Sequence, residues 1–160
     1  MNCLDPECKD GPDSGPRLTR NDETLCRRCG GLLEQRLAEL KARHDDVARL
    51  MLTPLPSRMS GGNRPTKGSP PVELNLTAHD WIIEATGKLA DWASLVCEER
   101  TLRGPDRSDV GALSGWLLSQ LPWLLEHPTA GDLADELRDL SRTADSLSRV
   151  HPRRYRLDAP

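Results

Sequence analysis

Four cysteines near the start of the chain are the residues best suited to do chemistry. Cys3 and Cys8 enclose four residues, Cys26 and Cys29 enclose two, and seventeen lie between the pairs, giving C-x4-C-x17-C-x2-C. Two close pairs joined by a short loop suit a single tetrahedral ion, because each pair grips it from one side, and Zn2+ is the ion expected. The same thiols are also compatible with two disulfides, with free thiols or with an iron–sulfur cluster. Met1-Asn2-Cys3 leads straight into polar and acidic residues without a secretory pattern. A reducing cytoplasm is therefore the expected setting, where close pairs favour metal over disulfide. The spacing favours zinc over a cluster. Four thiolates leave an ion no open position, so the expected role is structural and not catalytic.

The elements that must hold these cysteines are unequal. Residues 1–25 alternate turn formers and charges, as in Asp5-Pro6, Gly11-Pro12-Asp13 and Ser14-Gly15-Pro16, with a short hairpin expected around Gly11–Gly15. Such a segment buries no core unaided, so the metal is its organiser. Cys26 and Cys29 fall where a helix begins, and free N–H groups at that end favour thiolate charge. The helix is predicted from about Arg27 to Leu52. Leu33, Leu37, Leu40, His44, Val47 and Met51 recur at steps of four and three, a heptad seam. A narrow seam needs a partner, either the C-terminal helices or a second copy, and Leu33, Leu37, Leu40, Val47 and Met51 are the expected partner-docking residues. Gly30 and Gly31 in the first turn each cost up to about 1 kcal/mol against Ala, which predicts close approach to the metal knuckle.

Leu25-Cys26-x-x-Cys29-Gly30, opening a helix after a loop of this length, resembles GATA-type zinc fingers and the zinc element of DksA/TraR-type proteins. The resemblance covers about 30 of the 160 residues. It implies a treble-clef-like finger, with Cys3 and Cys8 on the knuckle and Cys26 and Cys29 on the helix. The first pair is spaced by four rather than two, and no Trp-Arg-Arg precedes the second pair. The metal fold, rather than GATA-style base recognition, is what carries over. The order of parts is similar to small zinc-finger proteins of actinobacteria and their phages. An Arg-to-Lys ratio of 18 to 4 matches a GC-rich coding genome.

Beyond the first helix, residues 53–71 contain scattered prolines and glycines and read as a flexible linker. Asn75-Leu-Thr-Ala-His-Asp opens a second unit, 72–151, with Thr77 as the predicted N-cap and Asp80 reaching back. Ile82, Ala85, Leu89, Trp92, Ala93 and Val96 mark one apolar face, and Gly104-Pro105-Asp106 ends that helix. Ser108 or Asp109 caps the next, which carries Leu113, Trp116, Leu117, Leu121 and Leu124 and is kinked or divided at Pro122. A last helix runs from about Thr129 to Val150 on Leu133, Leu137, Leu140, Ala144 and Leu147, with Asp132, Asp135, Glu136, Arg138 and Asp139 facing water. Residues 152–160 form a mobile tail. The predicted fold is mainly α: a zinc finger extended by a long helix (1–52), then a bundle of about three helices.

Only 36% of residues are apolar, Phe is absent, and four tryptophans supply nearly all the aromatic surface, so two modest packing units are expected. The tryptophans, Trp81 with Trp92 and Trp116 with Trp123, are expected in the core, an exposed docking patch being the alternative. Cys97 reads as a small buried hydrophobe and His44 as a partly buried seam residue; His79, His127 and His151 fall at helix ends or breaks. A formal net charge of −3 argues against a bulk polycation for nucleic acid. Arg17, Arg20, Arg27 and Arg28 still cluster at the finger and could meet phosphate, and Arg153, Arg154 and Arg156 surround Tyr155. Phosphate loops, nucleophile elbows and zincin pairs are absent from the sequence, and no apolar run is long enough for a membrane span. The expected function is a non-enzymatic regulatory or adaptor protein that docks a protein partner, or itself, through the finger and the seam. A DNA-binding regulator is the alternative. Neither a small-molecule substrate nor a membrane is expected as partner.

Overall fold

Cys26 ends an extended loop and the chain turns helical at the next residue, so the cysteine-bearing segment and the first long helix are continuous. A computed structural model describes residues 2–9, 17–19, 23–52 and 75–150. It contains α1 (Arg27–Met51), α2 (Leu76–Arg100), α3 (Val110–Ser119), α4 (Leu121–Glu126) and α5 (Ala130–Val150). The fold is mainly helical, and no strand occurs among the described residues. An isolated antiparallel bridge pairs Asn2 with Leu18. The expected hairpin at Gly11–Gly15, the linker 53–71, Arg20 and the tail 152–160 lie outside the described residues.

Local chemistry accounts for most boundaries. The α2 cap is Asn75, whose Oδ1 accepts from the Ala78 N–H at 3.2 Å, and not Thr77, which lies one residue inside the helix. Thr101, in the left-handed region at φ 53°, closes α2. Asp109 caps α3, accepting from Gly111 N–H at 2.8 Å and Ala112 N–H at 3.2 Å. Pro122 sits in the first turn of α4, where its missing N–H is harmless, so of the two outcomes expected there the run is divided and not kinked.

The seam of α1 finds its partner within the chain. Leu33, Leu37, Leu40 and Val47 are wholly buried, and α1 packs chiefly on α5 and α3 and also on α2. These residues join a single continuous core with Trp81, Leu89, Leu113, Leu117, Leu124, Leu133, Leu137 and the four cysteines. The two expected packing units are therefore one in the structure. The first helix supplies the face on which the later helices close, because α5 carries a complementary seam at Leu133, Leu137 and Leu140. Trp81 is buried with its Nε1–H donating to the Leu140 carbonyl at 2.9 Å, and Trp92 donates to Glu136 Oε2 at 2.8 Å. Trp116 and Trp123 are partly buried against the same core.

Candidate metal centre

The knuckle residues are extended or turning backbone held by few local bonds. Cys8 N–H donates to the Asp5 carbonyl at 3.0 Å, Cys3 N–H to the Arg17 carbonyl at 2.8 Å and Leu4 N–H to the Thr24 carbonyl at 2.9 Å. These bring Cys3 and Cys8 over the start of α1, where Cys26 is the N-cap and Cys29 lies in the first turn. All four thiols are buried and free of disulfides. Their Sγ atoms lie within 4.8 Å of one another, with Cys8 and Cys26 at 3.6 Å. A tetrahedron of sulfurs about 2.3 Å from its centre has edges of about 3.8 Å, so the cluster has the size to hold a metal ion.

The surroundings treat the four sulfurs unequally. The Cys26 N–H donates to Cys3 Sγ at 3.1 Å. Burial pushes the Cys3 and Cys29 thiols up. Burial acts in the same sense on Cys26, but the Cys29 N–H and the neighbouring sulfurs outweigh it and bring that thiol below its ordinary value. A multivalent cation bound among them would supply the opposing charge that lets all four lose their protons.

Around this cage the chain builds a polar collar absent from the sequence-derived site. Asp5, inside the knuckle, accepts from Glu7 N–H at 2.9 Å and pairs with Arg138 of α5. Arg138 also pairs with Asp135 and lies 3.4 Å from Glu7, while Arg142 donates to both Glu7 carboxylate oxygens at 2.8 and 3.1 Å. Burial pushes the Asp5 carboxyl up, but the Glu7 N–H, Arg138 and Cys29 together hold it below the ordinary carboxylate range. Arg138 is expected from sequence to face water; it is buried, because Asp5 of the knuckle arrives over α5 to pair with it.

Thr24, two residues before Cys26, fastens the cage to the far end of the chain. Its N–H donates to the Leu125 carbonyl at 2.8 Å, and its hydroxyl lies 3.0 Å from both the Leu125 and His127 carbonyls. Leu4 packs against the start of α5, where a Cβ on Gly131 would fall 2.6 Å from the Leu4 carbonyl oxygen. Gly30 has a different neighbour from the one expected: a Cβ there would meet the Leu125 side chain of α4, not the knuckle, and Gly31 has open space.

The other sequence candidates are scattered. Arg27 and Arg28 are exposed in the first turn of α1, Arg17 is half-buried, and Arg20 lies outside the described residues. Leu33, Leu37, Leu40 and Val47 are core residues, so their seam meets the C-terminal helices, the first of the two partners expected for it; Met51 is partly buried at the end of the same stripe. His44 is partly buried, as expected. His127, which sequence placed merely at a break, joins Glu99 at 3.0 Å to Thr129 at 2.7 Å and packs tilted against the Trp123 ring. Cys97 is half-buried beneath the Gly104 backbone. No helix among the described residues is long and apolar enough to cross a membrane. No protein-family model, curated protein or solved structure matches the chain.

Proposed function

We propose that the chain is a zinc-binding regulatory or adaptor protein, non-enzymatic, in which Zn2+ held by Cys3, Cys8, Cys26 and Cys29 fixes the N-terminal finger on a helical body. The observation that carries this reading is the buried cluster of four Sγ atoms within 4.8 Å of one another. All-sulfur donors at tetrahedral spacing favour Zn2+, and four protein ligands close its coordination shell against a reacting water. With the α1 seam buried, the outer face of the finger is the surface this reading assigns to a protein partner. Leu4 and Leu18 are exposed there, and Arg27 and Arg28 project from the helix start.

The test is metal analysis of purified chain, followed by exchange into Co2+. One equivalent of zinc is expected, together with the charge-transfer and tetrahedral visible bands of a cobalt tetrathiolate. Chain that purifies without metal and takes up neither ion would refute the reading. A second reading, DNA binding through the finger, is favoured by the exposure of Arg27 and Arg28 beside the cage. It requires duplex retention that falls steeply with salt and is lost in Arg27→Glu with Arg28→Glu.

A further inference from the structure

The α4–α5 corner is assembled from weak parts. The helix α4 has six residues, too short to be stable by itself. Its exit is a turn in which the His127 N–H reaches Leu124 O at 3.1 Å and the Ala130 N–H reaches His127 O at 3.0 Å. The Leu125 carbonyl, at the end of this short helix, and the His127 carbonyl of the turn both accept from Thr24, which is buried and two residues from Cys26. The Leu125 side chain rests on Gly30, one residue beyond Cys29. The Leu4 backbone covers Gly131 in the first turn of α5, and Asp5 neutralises the buried Arg138 two turns further on.

Each of these four contacts comes from a residue within two positions of a cysteine ligand. The segment carrying Leu4 and Asp5 has no apolar core of its own apart from the cysteines. The distal half of the fold has apolar burial away from this segment, with Leu37, Leu40 and Val47 of α1 buried alongside Trp81, Ala85, Leu89, Leu140 and Ala144.

We propose that the cysteine cage is a metal-controlled clasp on the α4–α5 corner: with the ion bound, Leu4, Asp5 and Thr24 cover and order residues 121–138, and loss of the ion releases that corner while the distal half of the bundle stays folded. The inference rests on the metal reading above and deepens it, because it assigns the site a regulated consequence. Local opening of this kind is read directly by amide exchange.

The experiment is hydrogen–deuterium exchange by mass spectrometry on full-length chain, zinc-loaded and then stripped with a chelator, with zinc counted in both samples. Exchange over 121–135 is expected to rise about tenfold or more on stripping, with less than about a twofold change over 40–48 and 85–96. Thr24→Val supplies a second arm: it should retain one equivalent of zinc yet show raised exchange over 121–130 in the loaded state. Unchanged exchange over 121–135 after zinc has left overturns the clasp, as does simultaneous loss of protection throughout the chain. Normal protection of 121–130 in zinc-loaded Thr24→Val also overturns it. A chain that binds no zinc overturns the metal reading itself, and the zinc count tells the two failures apart.

Discussion

Asp5 and Arg138, 133 residues apart in sequence, meet as an ion pair in which the side chains are only 5% and 4% exposed. The pair lies between the metal-ligand knuckle and α5, so charge is buried where the first and last described segments of the chain join. A buried ion pair contributes little net stability over an apolar substitute, but removing one partner strands the other. Arg138→Met should therefore destabilise the zinc-loaded chain by about 3 kcal/mol, and Asp5→Asn by a similar or smaller amount. The double variant should recover part of the loss. Exposed Arg142 offers a control: Arg142→Ala should shift stability by less than about 1 kcal/mol. Urea unfolding with zinc in excess measures all four, and strictly additive single-variant losses would show that the two groups do not act as a pair.

The same pair sets a pH dependence. The Asp5 carboxyl is lowered from an ordinary value of 3.8, and Glu7, through its bonds to Arg142 and the nearby Arg138 charge, is lowered from 4.5. A carboxylate whose pKa is lower folded than unfolded adds stability that is fully present above the unfolded value and lost as pH falls through the folded one. The loss attributable to Asp5 thus belongs below about pH 4. Acid also protonates the thiolates and drives off metal, so the contribution is read as the gap in thermal midpoint between wild type and Asp5→Asn. That gap should be constant from neutral pH to about 5 and close below about 4.

The burial of the α1 seam makes a sharper claim on stability. Leu37 and Leu40 are wholly buried, whereas Leu52, Leu76 and Ile83 are well exposed. Leu37→Ala or Leu40→Ala should cost about 2–5 kcal/mol, and Ile83→Ala less than about 0.5 kcal/mol. Were the seam instead a surface kept for another protein, Leu37→Ala would leave the isolated chain's unfolding midpoint almost unmoved.

What could be read from sequence was local. The Cys26–Cys29 pair at a helix start, the 4-3 spacing from Leu33 to Met51, the Asp109 cap and the break at Pro122 are written in neighbouring residues, and the structure has each of them. Where two local signals competed, the choice was made by geometry: Asn75 and Thr77 can both cap, and Asn75 does. What sequence could not reveal was which distant surface each element meets. Low apolar content and a proline-rich stretch suggested two units, yet α1 and α5 have seams that complete one another in a single core. Arg138 carries a charge in a run of charged residues, and only the arrival of Asp5 from the knuckle explains its burial. Thr24 carries no local signal of its role, because its acceptors on Leu125 and His127 lie more than 100 residues away.

Three glycines separate helix propensity from close packing. Gly31 lies in the first turns of α1 with nothing within 4 Å of the place a Cβ would occupy, so Gly31→Ala gains propensity without a clash. It should stabilise the chain by about 1 kcal/mol, a rise of roughly 3 °C in Tm for a chain of this size. A Cβ on Gly30 would meet a methyl group of Leu125 at 3.2 Å, which a small rotation of a flexible side chain can relieve, and a near-neutral result is expected. At Gly131 the obstacle is backbone, the Leu4 carbonyl oxygen at 2.6 Å, and the knuckle itself must move away from α5. Gly131→Ala should lower stability by about 1–3 kcal/mol even though alanine is the better helix former. Thermal melts of the three zinc-loaded variants should rank Gly31→Ala above Gly30→Ala above Gly131→Ala. A Gly131→Ala chain as stable as Gly31→Ala would mean that the knuckle does not rest on α5.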